Sequence, residues 1–301
     1  MRPHGWVGLV MMLAGMLVRW YGPEVHVLQP LAHWLGIWFT PWMWWGYLLF
    51  LDGWLAYREG RSWMRTYPVE YLWMLLTSYL CWRLFEWYNE WLQNWYYVGV
   101  PENRWIAELL GILSFVTIFP GIFWTASVVA RLGGLPLLDT RASLSRRAFW
   151  ISIGVGAVLV IYPILAPREQ RPYLFGLVWT GFVFLIDPIN DRLGGVSLLA
   201  QAKARNWQWI TVLFIAGYVC GFLWEFWNWW AIARWKYSIP FPAPFHIFEM
   251  PAPGFLGFGP FALECFCMYE LARQILRRAI PQFPVADRFV RGAPIRTLIW
   301  H

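Results

Sequence analysis

Eight stretches dominated by apolar residues recur along the chain, at about 5–21, 31–51, 69–97, 105–131, 147–166, 172–189, 207–232 and 253–276, each bounded by charge, proline or glycine. A helix rising 1.5 Å per residue needs about 20 such residues to cross a ~30 Å hydrocarbon core, so the pattern predicts eight transmembrane helices joined by short connections. The opening residues, MRPHGWVGLVMMLAGMLVRW, are followed by Tyr21 with no small-x-small cleavage site, and they read as the first span rather than as a cleaved leader.

Lysine and arginine set the expected orientation. The N-terminus, the connections after the second, fourth and sixth spans, and the C-terminus carry seventeen of them; the opposite ends carry six, and Arg83 lies within a span. That bias predicts both termini on the cytoplasmic side, in an integral membrane protein of the bacterial inner-membrane type. The connections after the third and seventh spans then face outward.

Composition agrees with this reading. With 59% hydrophobic and 14% charged residues, the chain is neither a soluble globule nor a disordered one. The net charge of +7 is scattered over short connections rather than gathered on one face, so nucleic acid is not an expected partner; membrane lipids and a lipophilic small molecule are. Cys81, Cys220, Cys265 and Cys267 lie in apolar stretches without a C-x-x-C pair, as buried thiols would. The five histidines leave no intramembrane pair for haem. Tryptophan, at 26 residues, exceeds what two interfacial belts require and suggests aromatic-lined space for a flat or extended apolar ligand.

The chain also resembles itself. Residues 79–91, YLCWRLFEWYNEW, align without gaps on 218–230, YVCGFLWEFWNWW, with six of thirteen positions identical, among them Glu86/Glu225 and Asn89/Asn228. Upstream, WWGYLLFLD (Trp44 to Asp52) parallels WTGFVFLID (Trp179 to Asp187), and downstream Pro120 corresponds to Pro260. The predicted architecture is an all-α polytopic membrane protein of about eight transmembrane helices in two parallel four-helix repeats. Residues 1–133 form the first repeat, 134–146 a cytoplasmic linker, 147–278 the second repeat with the candidate site, and 279–301 a basic tail. That tail, with Arg277, Arg278, Arg288, Arg291 and Arg296, is expected to meet anionic headgroups.

The two copies differ where chemistry is concerned. Arg83 precedes Glu86 by one helical turn and is expected to pair with it, whereas Glu225 has Phe222 in that place. Glu264 stands in the last span of the second copy where the first has Trp124. Glu225 and Asn228 share a helix face, as do Trp224 and Trp227. The stretch Arg234 to Gly254 holds five prolines together with Tyr237, His246 and Glu249; it cannot be one helix and is expected to fold back toward Glu225. The candidate catalytic residues are Glu225, Glu264, Asn228 and Glu249, with Trp224, Trp227, Tyr237 and His246 as candidate substrate-binding residues. The competing structural reading has the carboxylates pairing with Arg234, Lys236 or backbone to hold helices together. Asp52 and Asp187 end their spans, and Asp187-Pro188 is expected to stop a helix. Glu270 and Arg273 are expected to pair with each other.

A carboxyl removed from water holds its proton more tightly and can donate it to a double bond or leaving group, while aromatic walls stabilise a developing carbocation. The first functional reading is therefore a membrane enzyme using buried carboxylates for acid–base chemistry on a lipophilic substrate. No cofactor is required, and a metal held by Glu225, Glu249, Glu264 and His246 is the variant. A non-catalytic pigment- or lipid-binding subunit and a transporter are the alternatives. The run from Glu225 through WKY at Trp235 to Tyr237 and PAPGFLGFGPFALE, Pro251 to Glu264, resembles the order of Glu, Tyr and Gly/Pro-led helix in integral-membrane carotenoid hydratases and cyclases. The paired acidic signature of the cyclases is absent. The resemblance implies proton-initiated hydration or cyclisation of a polyene.

Overall fold

In the computed structural model, the described residues are 1–60, 62–135, 140, 142–239 and 245–280. The chain is mostly helical, 78%. Among the described residues the order is α1 (Pro3–Tyr21), α2 (Gln29–Ile37), α3 (Phe39–Glu59), α4 (Trp63–Thr66), α5 (Pro68–Leu92), β1 (Trp95–Val98), α6 (Arg104–Phe115), α7 (Ile118–Leu132), α8 (Arg146–Leu165), α9 (Phe175–Arg192), α10 (Leu198–Lys203), α11 (Gln208–Trp230), β2 (Arg234–Tyr237), β3 (His246–Ile247), β4 (Met250–Pro251) and α12 (Phe258–Ala279). Five stretches are long and apolar enough to cross a membrane, Pro3–Glu24, Arg104–Leu132, Arg146–Leu165, Gln208–Trp230 and Ala252–Ala279, which is compatible with an integral membrane protein. Helices α3, α5 and α9 occupy the other three places where the sequence predicts spans; their Trp, Tyr and charged residues lower the mean apolarity.

Several predicted boundaries change. The stretch 31–51 is divided at Trp38 between α2 and α3. Helix α5 ends at Leu92, followed by Gln93 with φ of 52°, and Trp95–Val98 leave the helix to pair antiparallel with β2. The tail arginines Arg288, Arg291 and Arg296 lie outside the described residues.

The chain forms two compact units, each drawn from three stretches: Met1–Trp82, Asn94–Trp124 and Cys220–Phe255 in the first, and Arg83–Gln93, Thr125–Val219 and Leu256 onward in the second. In the first, α1 and α3 cross at glycines. A Cβ on Gly8 would run into the Gly46 carbonyl oxygen and the Phe50 amide, and one on Gly53 would meet the Gly5 backbone. Such small-residue seams bring helix backbones close enough to pack tightly where no hydrophobic drive separates protein from lipid. Helix α3 then ends at Gly60, whose φ of 80° closes it in the left-handed conformation.

The break between α6 and α7 has a chemical cause. Pro120 has no amide hydrogen for the helical bond it would otherwise make to Val116, so the ladder is interrupted there. One rung earlier, Ser78 from α5 enters the break, its Oγ donating to the Phe115 carbonyl at 2.6 Å and accepting from the Phe119 amide at 3.1 Å.

The second unit uses the same devices. Gly156 of α8 lies against the Leu185 backbone of α9, and Gly181 of α9 against Leu159 and Val160. Helix α9 does not stop at Asp187-Pro188, as expected, but continues to Arg192. The carbonyl that Pro188 leaves without its helical donor is that of Phe184, and Ser152 Oγ from α8 donates to it at 2.8 Å. Asn190 Nδ2 donates to the Cys267 carbonyl at 2.9 Å, tying α9 to α12. The expected pair of Glu270 and Arg273 forms at 2.9 Å, with Gln274 Nε2 and the Val196 amide also on the carboxylate.

The aspartates at the span ends are fully buried and cap the short helices that follow. Asp52 accepts from Ser62 Oγ at 2.5 Å and the Trp63 amide at 2.8 Å, with His4 Nε2 at 2.9 Å. Asp187 accepts from Ser197 Oγ at 2.5 Å and from the amides of Leu198 and Leu199 at 2.6 and 2.9 Å.

The seams make a direct prediction. Gly8→Ala forces the α1 and α3 backbones apart and is expected to cost about 1–3 kcal/mol. Gly154→Ala, where a Cβ meets nothing within 4 Å, is expected to be neutral or stabilising by about 0.5–1 kcal/mol through helix propensity. Thermal unfolding of the detergent-solubilised variants compares the two.

Candidate functional site

Helix α11 presents two faces in the first unit. Successive side chains step by about 100° around a helix, so Trp224 and Trp227 lie to one side and Glu225 and Asn228 to another. On the tryptophan side, the ring centroid of Trp44 lies 5.1 Å from Trp224 and 5.0 Å from Trp227, and Tyr47 lies 5.8 Å from Trp227. Trp227 meets Trp44 and Tyr47 edge to face and Trp224 meets Trp44 at a tilt, favourable packing for π systems. Trp227 is buried and Trp224 half-buried.

Glu225 and Asn228, both 0% exposed, turn toward β2. The chain reaches them because β2 is anchored at both ends. Its residues pair with β1 in the register Trp95↔Tyr237 to Val98↔Arg234, and the Ser238 amide donates to the Asn94 carbonyl at 2.9 Å. Where α11 ends, the Trp230 carbonyl accepts from Arg19 Nε and the Ile232 amide donates to the Gly36 carbonyl at 2.7 Å. Asn228 then behaves as a surrogate strand. Its Nδ2 donates to the Trp235 carbonyl at 2.8 Å, and its Oδ1 accepts from the Trp235 amide at 3.0 Å.

That fastening aims two side-chain donors at Glu225. Tyr237 Oη donates to Glu225 Oε1 at 2.7 Å, and Trp235 Nε1 stands 3.3 Å from the same oxygen and 3.0 Å from the Tyr237 hydroxyl. The second oxygen, Oε2, is buried and makes no hydrogen bond among the described residues, and no cation there forms an ion pair with Glu225. Burial, and then the adjoining Glu225 carboxyl, hold the Tyr237 hydroxyl well above its ordinary pKa, so it remains a donor.

The other candidates are placed differently. Glu249 is half-buried and pairs with Arg234 at 3.5 Å, while Arg234 Nη1 donates to the Trp229 carbonyl at 3.1 Å, so Glu249 helps secure the end of α11. His246 is exposed on β3, in register with Pro251 of β4. Glu264 is fully buried in α12, within the second unit. Among the described residues no three His, Cys, Asp or Glu side chains are grouped to hold a metal ion. Arg83 of α5 is exposed and Glu86 half-buried. What separates the twin acids is burial, Glu86 being half-buried and Glu225 fully enclosed.

Two participants escaped the sequence pattern. Trp235 stands between Arg234 and Lys236 and reads as an interfacial residue, yet it supplies an indole donor and both backbone partners of Asn228. The aromatic partners Trp44 and Tyr47 lie far from α11 in sequence. Comparison of the chain with family models, with curated proteins and with solved structures finds no match. The likeness of the Glu225 to Glu264 run to carotenoid hydratases and cyclases therefore rests on those residues alone.

Removing the Asn228 side chain leaves the Trp235 amide and carbonyl without their partners, so Asn228→Ala is expected to cost about 1–3 kcal/mol in thermal unfolding. For Tyr237, the folded state holds the phenolic proton more tightly than the unfolded chain. Its contribution to stability is thus complete below the unfolded value, about pH 10, and is lost as pH rises through the folded value. A melting series from about pH 8 to about pH 12 should show a shallower alkaline decline for Tyr237→Phe than for the wild type.

Proposed function

We propose that this protein is an integral membrane enzyme that uses a buried carboxyl for acid–base chemistry on a lipophilic substrate of the isoprenoid, carotenoid or lipid class. The observation that carries the reading is Glu225 itself: a fully buried acid in an apolar helix, with Oε1 fixed by Tyr237 and Trp235 and Oε2 left to a group outside the described residues. In this reading Glu225 exchanges a proton with the substrate through Oε2, and Tyr237, Trp235 and Asn228 set its orientation. Glu264, a buried acid in an apolar helix, is the second candidate for proton transfer.

The proposal includes eight spans, both termini cytoplasmic, and two parallel four-helix repeats. Support for the repeats comes from devices that recur. Asp52 with Ser62 and Asp187 with Ser197 make the same cap across the same ten-residue spacing. The indoles of Trp44 and Trp179, aligned by sequence, each press on a glycine, Gly121 and Gly257, that has no room for a Cβ.

A second reading, a non-catalytic lipid- or pigment-binding subunit, draws on Asn228, whose side-chain atoms both serve to fasten β2. Replacement by glutamine decides between them. Glu225→Gln and Glu264→Gln, introduced separately into a deletion strain, are compared with the wild-type gene by untargeted lipid and carotenoid analysis. The enzyme reading expects Glu225→Gln to reduce product on the order of 10² to 10⁴-fold while the protein still accumulates in the membrane. A profile restored to wild type by Glu225→Gln, where the deletion strain's profile is altered, would sink the catalytic role. Retention of a co-purifying lipophilic ligand in that case favours the subunit.

A further inference from the structure

Strands β3 and β4 meet at a two-residue loop, Phe248–Glu249, because Ile247 pairs with Met250. Phe248 stands there at φ of 58°, in the left-handed region where a bulky side chain is strained and glycine is at ease. The ring explains the placement. It lies 5.6, 5.7 and 6.4 Å from the rings of Phe222, Phe226 and Trp229 of α11. The neighbouring Glu249 pairs with Arg234, which also donates to the Trp229 carbonyl. Side chains thus hold the tip of the hairpin to α11, whereas its base is held from within. There the Ala252 amide donates to the Phe245 carbonyl at 3.0 Å, and the buried Met250 lies so close to Gly254 that a Cβ on the glycine would run into it.

Helix geometry puts that contact next to the acid. At about 100° per residue, Phe222, Phe226 and Trp229 form one stripe of α11, and Glu225 lies about 40° from Trp229 on one side and about 60° from Asn228 on the other. Strand β2 therefore covers Glu225 from the Asn228 flank, and the hairpin sits on the aromatic flank. Phe222 and Trp229 remain 49% and 44% exposed, so the stripe is open to the surroundings of the helix beside the hairpin, while Glu225 is enclosed.

We propose that the β3–β4 hairpin is a gate on Glu225. Phe248 closes the aromatic flank, the Arg234–Glu249 ion pair latches it, and swinging the tip about its Met250 base opens a path for an apolar molecule from the bilayer to the carboxyl. This inference rests on the reading of Glu225 as the acid that meets a lipophilic substrate. The strained Phe248 balances the device: opening forfeits ring contacts and an ion pair but releases a disfavoured backbone conformation. The latch itself is weak enough to yield, because an ion pair in contact with solvent contributes little.

The test labels full-length protein in lipid nanodiscs with dicyclohexylcarbodiimide. This apolar reagent takes up a carboxyl O–H across one C=N bond and, with nothing leaving, settles as an N-acylurea on the acid. Peptide mass spectrometry follows the rate at Glu225, and Glu225→Gln removes the signal. Glu249→Gln breaks the latch and is expected to raise the rate about two- to fivefold. Phe248→Ala keeps the strain and loses the ring, and is expected to raise it about tenfold. Phe248→Gly loses the ring but relieves the strain, so its rate should fall below that of Phe248→Ala. Trp105→Phe, at a 79% exposed position, should label as the wild type does. A wild-type rate in Phe248→Ala, or in Glu249→Gln should the former not accumulate, overturns the gate. So does the absence of Glu225 labelling in all of these proteins, or faster labelling of the wild type by a water-soluble carbodiimide. Labelling reads access and the lipid profile of Glu225→Gln reads chemistry, so either proposal can fail while the other stands.

Discussion

Every backbone amide and carbonyl in a membrane helix must find its partner within the protein, because hydrocarbon offers none. The irregular points of this chain are organised by that constraint. Pro188 removes a helical donor, and Ser152 of a neighbouring helix supplies the missing bond to the Phe184 carbonyl; just before Pro120, Ser78 bridges the Phe115 carbonyl and the Phe119 amide at the α6–α7 break. The end of α11 is closed by Arg19 and Gly36, and the extended chain beyond it by β1. At Phe115, Phe119 and Phe184 the interrupted backbone groups meet an aimed hydroxyl.

The same accounting distinguishes the buried acids by what they hold. Asp187 accepts from a hydroxyl and two amides, so its oxygens are consumed in capping α10. Asp52 does the equivalent for α4, with His4 added. Glu270 is committed to Arg273, Gln274 and Val196. Glu225 differs because both of its donors converge on one oxygen. Asp52, Asp187 and Glu270 are each satisfied on both oxygens, whereas Glu225 is held on one; under the proposed function, the open oxygen is the one that exchanges a proton. The Tyr237 hydroxyl, held un-ionised, keeps that orientation without contributing charge.

Much of this was legible in the residues, and the rest was not for identifiable reasons. Among the described residues, the apolar runs coincide with the long helices, and five of these stretches are long and apolar enough to cross a membrane. Of the stretch after α11 that was expected to fold back, Tyr237 reaches Glu225, while residues 240–244 lie outside the described residues. Pro188 was misjudged as a stop because the donor that rescues its helix, Ser152, belongs to another helix. Spacing brings Arg83 and Glu86 to one face of a helix, but tertiary surroundings set their burial, Arg83 being exposed and Glu86 half-buried. Trp235 carried no local signal at all, since its role depends on a strand register fixed by β1.

The abundance of tryptophan follows from these observations as well. Leucine would fill a dry interior equally well and would need no partner, so an indole is retained there either for its ring or for its N–H. Trp42 and Trp45 use the N–H structurally, donating to the carbonyls of Met11 and Leu113 at 2.9 and 3.1 Å. Trp235 aims its own at an acid. Trp44 and Trp124 keep theirs buried without a partner among the described residues, inside clusters of other rings. Flat walls combined with isolated donors suit ligands that are largely apolar and carry a single acceptor, and poorly suit ions or sugars, which would leave their own polar groups stranded. The lipophilic partner of the proposed function would be met on the same physical ground that governs the backbone: away from water, each polar atom marks the place of its partner.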